Sequence, residues 1–303
     1  MSYEDSLIVK AAWYYYMENM TQQEISQKLD VSRMKVIKLL DKAKQLGVIQ
    51  FKICPEKGKD LFLEQKLIKR WALKDAFIVP TPPSDDNINE TISQAAAMYI
   101  NNRLTENIYI NMGYGDTPNR VLNHLATIAE SPISVISLTG GVSYYLPNIH
   151  SNTFKAKLYL YPAPLLVSSK EMCSAMLQEP PIQKISRMIS LASLTVVGIG
   201  AMSNNATIIT NGILNQSDFS YLSMKGAVGD VLTHFIDKDG NPVHSDIEDR
   251  LFSTPLETLK KLNNVIGVSG GSHKVEAIQA ALKGGYIDIL VTDENTAIQL
   301  CQE

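Results

Sequence analysis

Thr21–Gly47, TQQEISQKLDVSRMKVIKLLDKAKQLG, reads as two short helices joined by a tight turn. Thr21 and Glu24 have the spacing of a capping box, in which hydroxyl and carboxylate satisfy amide donors at a helix start. Ile25 and Leu29 then fall on one face. Asp30-Val31-Ser32 supplies the turn, and Ser32 is a good N-cap for a second helix. In that helix Val36, Leu39 and Leu40 face inward while Arg33, Lys35, Lys38, Lys42 and Lys44 stay outside. The small Ser26 lets the two helices approach. Asp30 stands where glycine is usual, and aspartate tolerates left-handed backbone better than most residues. Any small helical hairpin has caps and a polar face, but a basic second helix is also what places side chains in the major groove of duplex DNA. On that reading the contacts come from Thr21, Gln22, Ser32, Arg33, Met34, Lys35 and Lys38. Gly47 ends the helix, and Val48–Ile53 reads as a strand, one arm of a wing.

The rest of the chain fits a small head on a larger body. At 303 residues it is long for one core, which predicts a DNA-binding domain over residues 1–54 and a second domain over 55–303. Hydrophobic residues make up 45% and charged residues 19%, the balance of a soluble globular protein. The net charge of −3 argues against nucleic acid until its distribution is considered. Between positions 31 and 52, six Lys and Arg side chains face only Asp41. Screening confines each charge to about 8–10 Å, so a local basic patch suffices for phosphate contacts. No apolar run approaches the length of a membrane span, and Met1-Ser2-Tyr3-Glu4-Asp5 lacks the basic start of a signal peptide. Cys54, Cys173 and Cys301 are far apart and odd in number, which suits a reducing cytoplasm and suggests neither metal nor cofactor.

Ahead of the turn, Glu4–Met17 reads as a helix with a broad apolar face, and Trp13–Tyr16 as packing behind the hairpin rather than a base-stacking platform. Past a linker at 55–59, Asp60–Leu73 is a further amphipathic helix. Strand candidates then alternate with helices. The strands lie at 76–79, 108–112, 133–138, 158–160, 194–199, 265–268 and 287–291, and the helices near 88–103, 117–129, 170–189, 273–283 and 294–302. This pattern predicts an α/β fold with a largely parallel sheet, whose ligands collect at the carboxyl ends of the strands.

Three strand-to-helix corners stand out. Gly115-Asp116-Thr117 is glycine-rich and opens a helix whose amides suit a phosphate, although a carboxylate there is awkward. An ordinary glycine turn reads the same way. Gly140-Gly141 follows a strand and leads on to His150 and Asn152. Gly270-Gly271-Ser272-His273-Lys274 puts amides, a hydroxyl and a cation at a helix start, a good anion cradle by residue type. Asp230, on the glycine-rich run from Gly226, suits sugar hydroxyls and suits equally the cap of a helix from Val231.

Several of these motifs together resemble the SorC/DeoR family of sugar-binding transcriptional regulators, over essentially the full length. The resemblance rests on Met20–Ile25 and Val31–Arg33, then on Leu138–Val142, Tyr161–Leu165, Val197–Gly200 and Gly226–Asp230. Gly270–Lys274, Gly285–Ile287 and Val291–Asp293 are its most specific part. It implies a helix-turn-helix head before a Rossmann-like effector domain of the phosphosugar isomerase and deaminase type. It also implies a phosphorylated sugar or sugar-like effector, held by Gly115–Thr117, by Gly270, Gly271, Ser272 and Lys274, and by Asp230 with Leu232 nearby. Leu138–Val142 and Lys225–Asp230 most resemble the branch controlling autoinducer-2 uptake, whose effector is phosphorylated autoinducer-2. His150 and Asn152 match members that sense other sugar phosphates. Members usually assemble as tetramers, and the expectation for this chain is a repressor that acts on double-stranded operator DNA and is relieved by its effector. The competing expectation is a sugar-phosphate isomerase or deaminase with an accessory head, in which Asp230 would be the base.

Overall fold

Three helices, α1 (Tyr3–Tyr16), α2 (Gln22–Lys28) and α3 (Arg33–Gln45), build the first of two units, Met1–Cys54 and Pro55–Glu303, in a computed structural model. The structure describes residues 3–49, 59–105, 108–141 and 156–302. Leu7, Ile8, Ala11 and Ala12 of α1 bury against Ile25 and against Val36, Leu39, Leu40 and Ala43 of α3. The capping box is present: Thr21 Oγ1 accepts from the Glu24 amide at 3.3 Å, and Glu24 accepts from the Thr21 amide at 2.7 Å. Ser32 caps α3 by accepting from the Lys35 amide at 3.2 Å. Asp30 sits at φ +52°, the left-handed conformation that its residue type foretold. Ser26 is buried, as close helix approach requires. Tyr14, Tyr15 and Tyr16 pack against this core, whereas Trp13 is exposed and donates to Glu18. Val48 and Ile49 form a bend; the remainder of the expected strand lies outside the described residues.

Thr21→Ala removes one half of that box. It is expected to cost about 1 kcal/mol, seen as roughly fivefold faster hydrogen exchange of the α2 amides in the full-length protein. Unchanged exchange would show that the cap contributes nothing.

The second unit begins with α4 (Lys59–Trp71), tied to the C-terminal segment by Trp71 Nε1 donating to the Leu300 carbonyl at 3.2 Å. Strands β1 (Asp75–Val79), β2 (Tyr109–Met112), β3 (Ile133–Gly141), β4 (Ala156–Pro164) and β5 (Leu194–Ala201) follow, with α5 (Ile88–Asn101), α6 (Asp116–Ile128), α7 (Lys170–Leu177) and α8 (Pro180–Ile189) between them. A 3-10 turn, Asp85–Asn87, leads into α5. Next come α9 (Thr207–Thr210), α10 (Gln216–Met224), the hairpin β6 (Ala227–Val231) and β7 (His234–Asp237), α11 (Asp246–Arg250) and α12 (Leu256–Leu259). The chain closes with β8 (Val265–Val268), a second 3-10 turn (Ser272–Lys274), α13 (Val275–Lys283), β9 (Ile289–Asp293) and α14 (Glu294–Leu300).

The parallel strands lie in the order β1-β9-β8-β5-β2-β3-β4, and β6 pairs antiparallel with the end of β5. Burial on both faces explains why β8 and β9 are apolar with little alternation. One core joins α5 and α6 to Ile110, Met112, Val135, Val196 and Val268. The other joins α4, α8, α13 and α14 to Ile136, Leu138, Val197, Ile199 and Leu290. From β2 the chain runs outward through β3 and β4, then crosses back to place β5 on the other side of β2. That reversal opens a crevice at the carboxyl ends of β2 and β5, where ligands of such sheets bind.

Two expectations need correction. The helix expected over 170–189 is broken at Glu179, because Pro180 and Pro181 supply no amide donors and begin α8 afresh. No helix runs from Val231. Gly226–Asp230 leads instead into a hairpin whose turn residues, Leu232 and Thr233, have φ of +53° and +66°. Tight hairpin turns usually announce themselves with Asn or Gly, and Leu-Thr carries no such signal. Gly229 shows why the surrounding run is glycine-rich: a Cβ there would strike Ala277 and the Gly200 carbonyl.

Candidate functional site

A cavity of about 970 Å³ fills the crevice. Its walls come from the β2–α6 corner, the segment after β5, the β6–β7 hairpin and the β8–α13 corner. Gly115, with φ of +130°, turns the chain into α6 and leaves Asp116 in that helix's first turn. Both Asp116 carboxylate oxygens accept from Arg120 Nε at 2.9 Å, and one also accepts from Asn89 Nδ2 at 3.1 Å. Arg120 extends to Glu90 at 2.6 Å, and Glu90 reaches His124 at 2.9 Å. Opposite charge around the guanidinium holds its proton more tightly than usual, chiefly through Asp116.

Lys274 reaches the same wall from the β8–α13 corner, donating to Asn89 Oδ1 at 3.3 Å. Burial lowers its pKa, against the pull of Asp116 and Asp230. An ammonium short of solvent and, among the described residues, of direct ion pairs is well placed for an anionic ligand. Asp230 enters from the hairpin, fixed by the Thr233 amide at 3.1 Å, and lies against Gly200, where a Cβ would collide with its carboxylate. Burial pushes its pKa from the ordinary 3.8 up to about 6.

That shift has a measurable consequence. Because the folded value is the higher one, Asp230 stabilises the fold least once ionised: stability is lost as pH rises from about 4 through 6. Asp230→Asn keeps an oxygen for the Thr233 amide without the charge. It is expected to stabilise the ligand-free protein by about 1–3 kcal/mol at pH 7.5 and by almost nothing at pH 4. Thermal melts at the two pH values check this, and an equal gain at both would refute it.

The third wall is polar and was not foreseen from the sequence. Ser203, Asn204, Asn205, Thr207, Thr210 and Asn211 line it, and Asn211 donates to the hydroxyl of Tyr114, another lining residue. Asn89, Tyr114, Arg120 and His273 were missed as well. Runs of Asn, Ser and Thr read as loop, and only the clustering of so many amides between a strand and a helix hinted at more.

Of the residues anticipated for the ligand, Gly115, Asp116, Thr117, Asp230 and Lys274 line this cavity together. Others serve the frame around it. The Gly271 amide donates inward to Asp293 and Thr296, both near 2.9 Å, and Gly270 lies against the Asp293 carboxylate. Ser272 accepts from Gln299 at 3.0 Å. Hence the corner presents His273 and Lys274 rather than its glycines. Gly140 lies on β3, where a Cβ would meet the Pro164 carbonyl, and Gly141 pairs with Pro164. Leu232 is buried behind the corner, its Cδ2 2.8 Å from where a Cβ on Gly113 would stand. His150 and Asn152 lie outside the described residues.

In the first unit, Arg33, Met34, Lys35 and Lys38 share the exposed face of α3. Glu4 pairs with Lys42 at 2.8 Å and Lys35 at 3.6 Å, while Arg33 Nε reaches Gln22 Oε1 at 3.5 Å. Arg33 and Gln22 border a concave surface with Thr21, Tyr15 and Tyr16.

A parallel sheet with a polar, charged crevice defines a small-molecule-binding module, and the family model described as "Putative sugar-binding domain" matches residues 56–302. The chain belongs to this family, the sugar-binding transcriptional regulators of SorC/DeoR type. It is 34% identical over 301 residues to the transcriptional regulator LsrR of Klebsiella pneumoniae, across 97% of this chain and 92% of that one. Identity to LsrR of Escherichia coli K12 is 34% over 298 residues, across 97% and 94%. Among solved structures, the full-length sorbitol operon regulator SorC of Klebsiella pneumoniae aligns over 100% of both chains with TM-score 0.73 and 24% identity, a likeness of fold. A DeoR family transcriptional regulator from Listeria monocytogenes gives 0.71 at 25% identity, over 80% of this chain and 100% of that one. These relatives are regulators, so the enzyme reading with an accessory head is not favoured. No helix among the described residues is long and apolar enough to cross a membrane.

Proposed function

We propose that residues 1–54 are a winged helix-turn-helix domain binding operator DNA, and that residues 55–303 bind a phosphorylated sugar-like effector that changes operator affinity. The reading of the effector is carried by one observation. Within one cavity Lys274 supplies a cation, while Asp230 and the Asn204–Asn211 wall supply hydroxyl partners. An anion at one end and hydroxyls along the rest describe a sugar phosphate, and phosphorylated autoinducer-2 is the candidate that the sequence resemblance implies. Gly115 and Thr117 accompany Lys274 at the phosphate end.

Two heads reading successive major grooves must sit about 34 Å apart, which calls for an oligomer. A homotetramer is our reading. Leu61 and Phe62 of α4, 52% and 76% exposed, offer an apolar face for the interface. The effector must favour one quaternary arrangement over another, since equal affinity for both shifts nothing. Release from the operator, hence derepression, is the expected sign.

Thermal shift of the full-length protein against paired sugars and sugar phosphates tests the effector, since a ligand of the folded state raises stability by mass action. Phosphorylated members should raise the melting temperature in proportion to the logarithm of their concentration, and their unphosphorylated partners should not. Equal shifts within each pair would refute the phosphate reading.

A further inference from the structure

The phosphate end of the cavity already contains an anion, the Asp116 carboxylate. Arg120 holds it with Nε at 2.9 Å to both oxygens, and Asn89 donates to it at 3.1 Å. The other end of the Asn89 amide accepts from Lys274 at 3.3 Å. Arg120 and Asn89 therefore hold the Asp116 carboxylate, and Asn89 links Lys274 to it. Charge bookkeeping makes this arrangement awkward for a phosphate. Asp116 and Asp230 along the wall, with Glu90 on Arg120, outnumber the cations Arg120 and Lys274, so a dianion added beside them meets no net positive charge. Repulsion between two anions at contact, at the effective dielectric of a protein surface, outweighs a single charge-assisted hydrogen bond. Asp116 has a way out, because its side chain is 38% exposed. Arg120 has a second anchor, Nη1 on Glu90 at 2.6 Å, so Nε can change partner without the guanidinium leaving its place.

We propose that Asp116 is a built-in stand-in for the effector's phosphate, displaced toward solvent on binding, and that Arg120 transfers from Asp116 to become a second phosphate-binding cation beside Lys274. The idea rests on the phosphate reading above and adds to it a residue and an exchange of partners. Intramolecular competition of this kind weakens every anionic ligand by the same factor. It sets a threshold concentration that weak or adventitious anions fail to reach.

The test uses full-length protein, inorganic phosphate and ribose 5-phosphate as probes, and ribose as the uncharged control. Asp116→Asn should bind both phosphates about tenfold more tightly than the parent by calorimetry. Arg120→Gln should bind them about tenfold more weakly, and Asp116→Asn should gain nothing in the Arg120→Gln background. Circular dichroism melts confirm that each variant is folded. In the parent, the 15N signal of Arg120 Nε should move on addition of phosphate, a response that a purely structural Arg120–Asp116 pair does not give. Weaker or unchanged binding in Asp116→Asn, or additivity in the double variant, overturns the proposal. If Lys274→Ala lowers phosphate affinity while Asp116 and Arg120 substitutions do not, the exchange alone is refuted. Phosphate binding indifferent to all three residues removes the phosphate reading and this proposal with it.

Discussion

Lys274→Ala is expected to give a protein that folds, binds operator and fails to release it when a phosphorylated effector is added. Lys274 lies at the cavity with the Asn89 side chain as its hydrogen-bond partner. Little in the fold therefore depends on it, while on the proposed reading the anionic end of the effector does. Losing a charge-assisted hydrogen bond costs roughly 1.5–3 kcal/mol, which is about 10- to 150-fold in affinity. Burial also lowers the pKa of this lysine, so the parent should lose effector affinity at a less alkaline pH than an ordinary lysine would dictate. Titration of the protein–operator complex with effector, followed by fluorescence anisotropy across pH, reads both effects. A variant that still distinguishes a sugar phosphate from its unphosphorylated sugar as strongly as the parent would move the phosphate to the Gly115–Thr117 turn.

Arg33→Ala should act at the other end of the chain. Arg33 occupies the first turn of α3, exposed, beside Gln22 at the start of α2. A contact from this position to a base edge is worth about 1–3 kcal/mol, so operator affinity should fall by roughly 5- to 150-fold with relaxed preference at one base pair. If the contact is to a phosphate, the loss should be uniform across sequences and the salt dependence should flatten by about one counterion. Lys35 and Lys42 are already engaged by Glu4, so alanine at either is expected to do less. Undiminished binding of Arg33→Ala at fixed salt would take α3 out of the major groove.

The sequence was a good guide wherever the governing physics is local. Thr21, Glu24 and Ser32 stated their caps within three residues of the amides they satisfy. Asp30 stated its left-handed turn, and the buried strands stated a parallel sheet through unbroken apolar runs. The corners at Gly115 and Lys274 could be read as ligand-bearing because strand ends in such sheets face the crevice. Distance along the chain defeated the rest. Asn89 of α5 donates to Asp116 and accepts from Lys274 of the β8–α13 corner, and no spacing in the sequence encodes that meeting; only the Asp116–Arg120 pair, four residues apart on α6, follows from helix periodicity. The Leu232–Thr233 turn adopts positive φ without glycine because the hairpin is held from outside, by pairing with β5 and by Leu232 buried against Gly113. The glycines at 270 and 271 looked like an anion cradle by type, yet Asp293 and Thr296 claim the Gly271 amide. Local caps and burial patterns are properties of neighbouring residues and survive in the sequence; which polar groups are left to face a ligand depends on what distant segments have already satisfied, and only packing decides that.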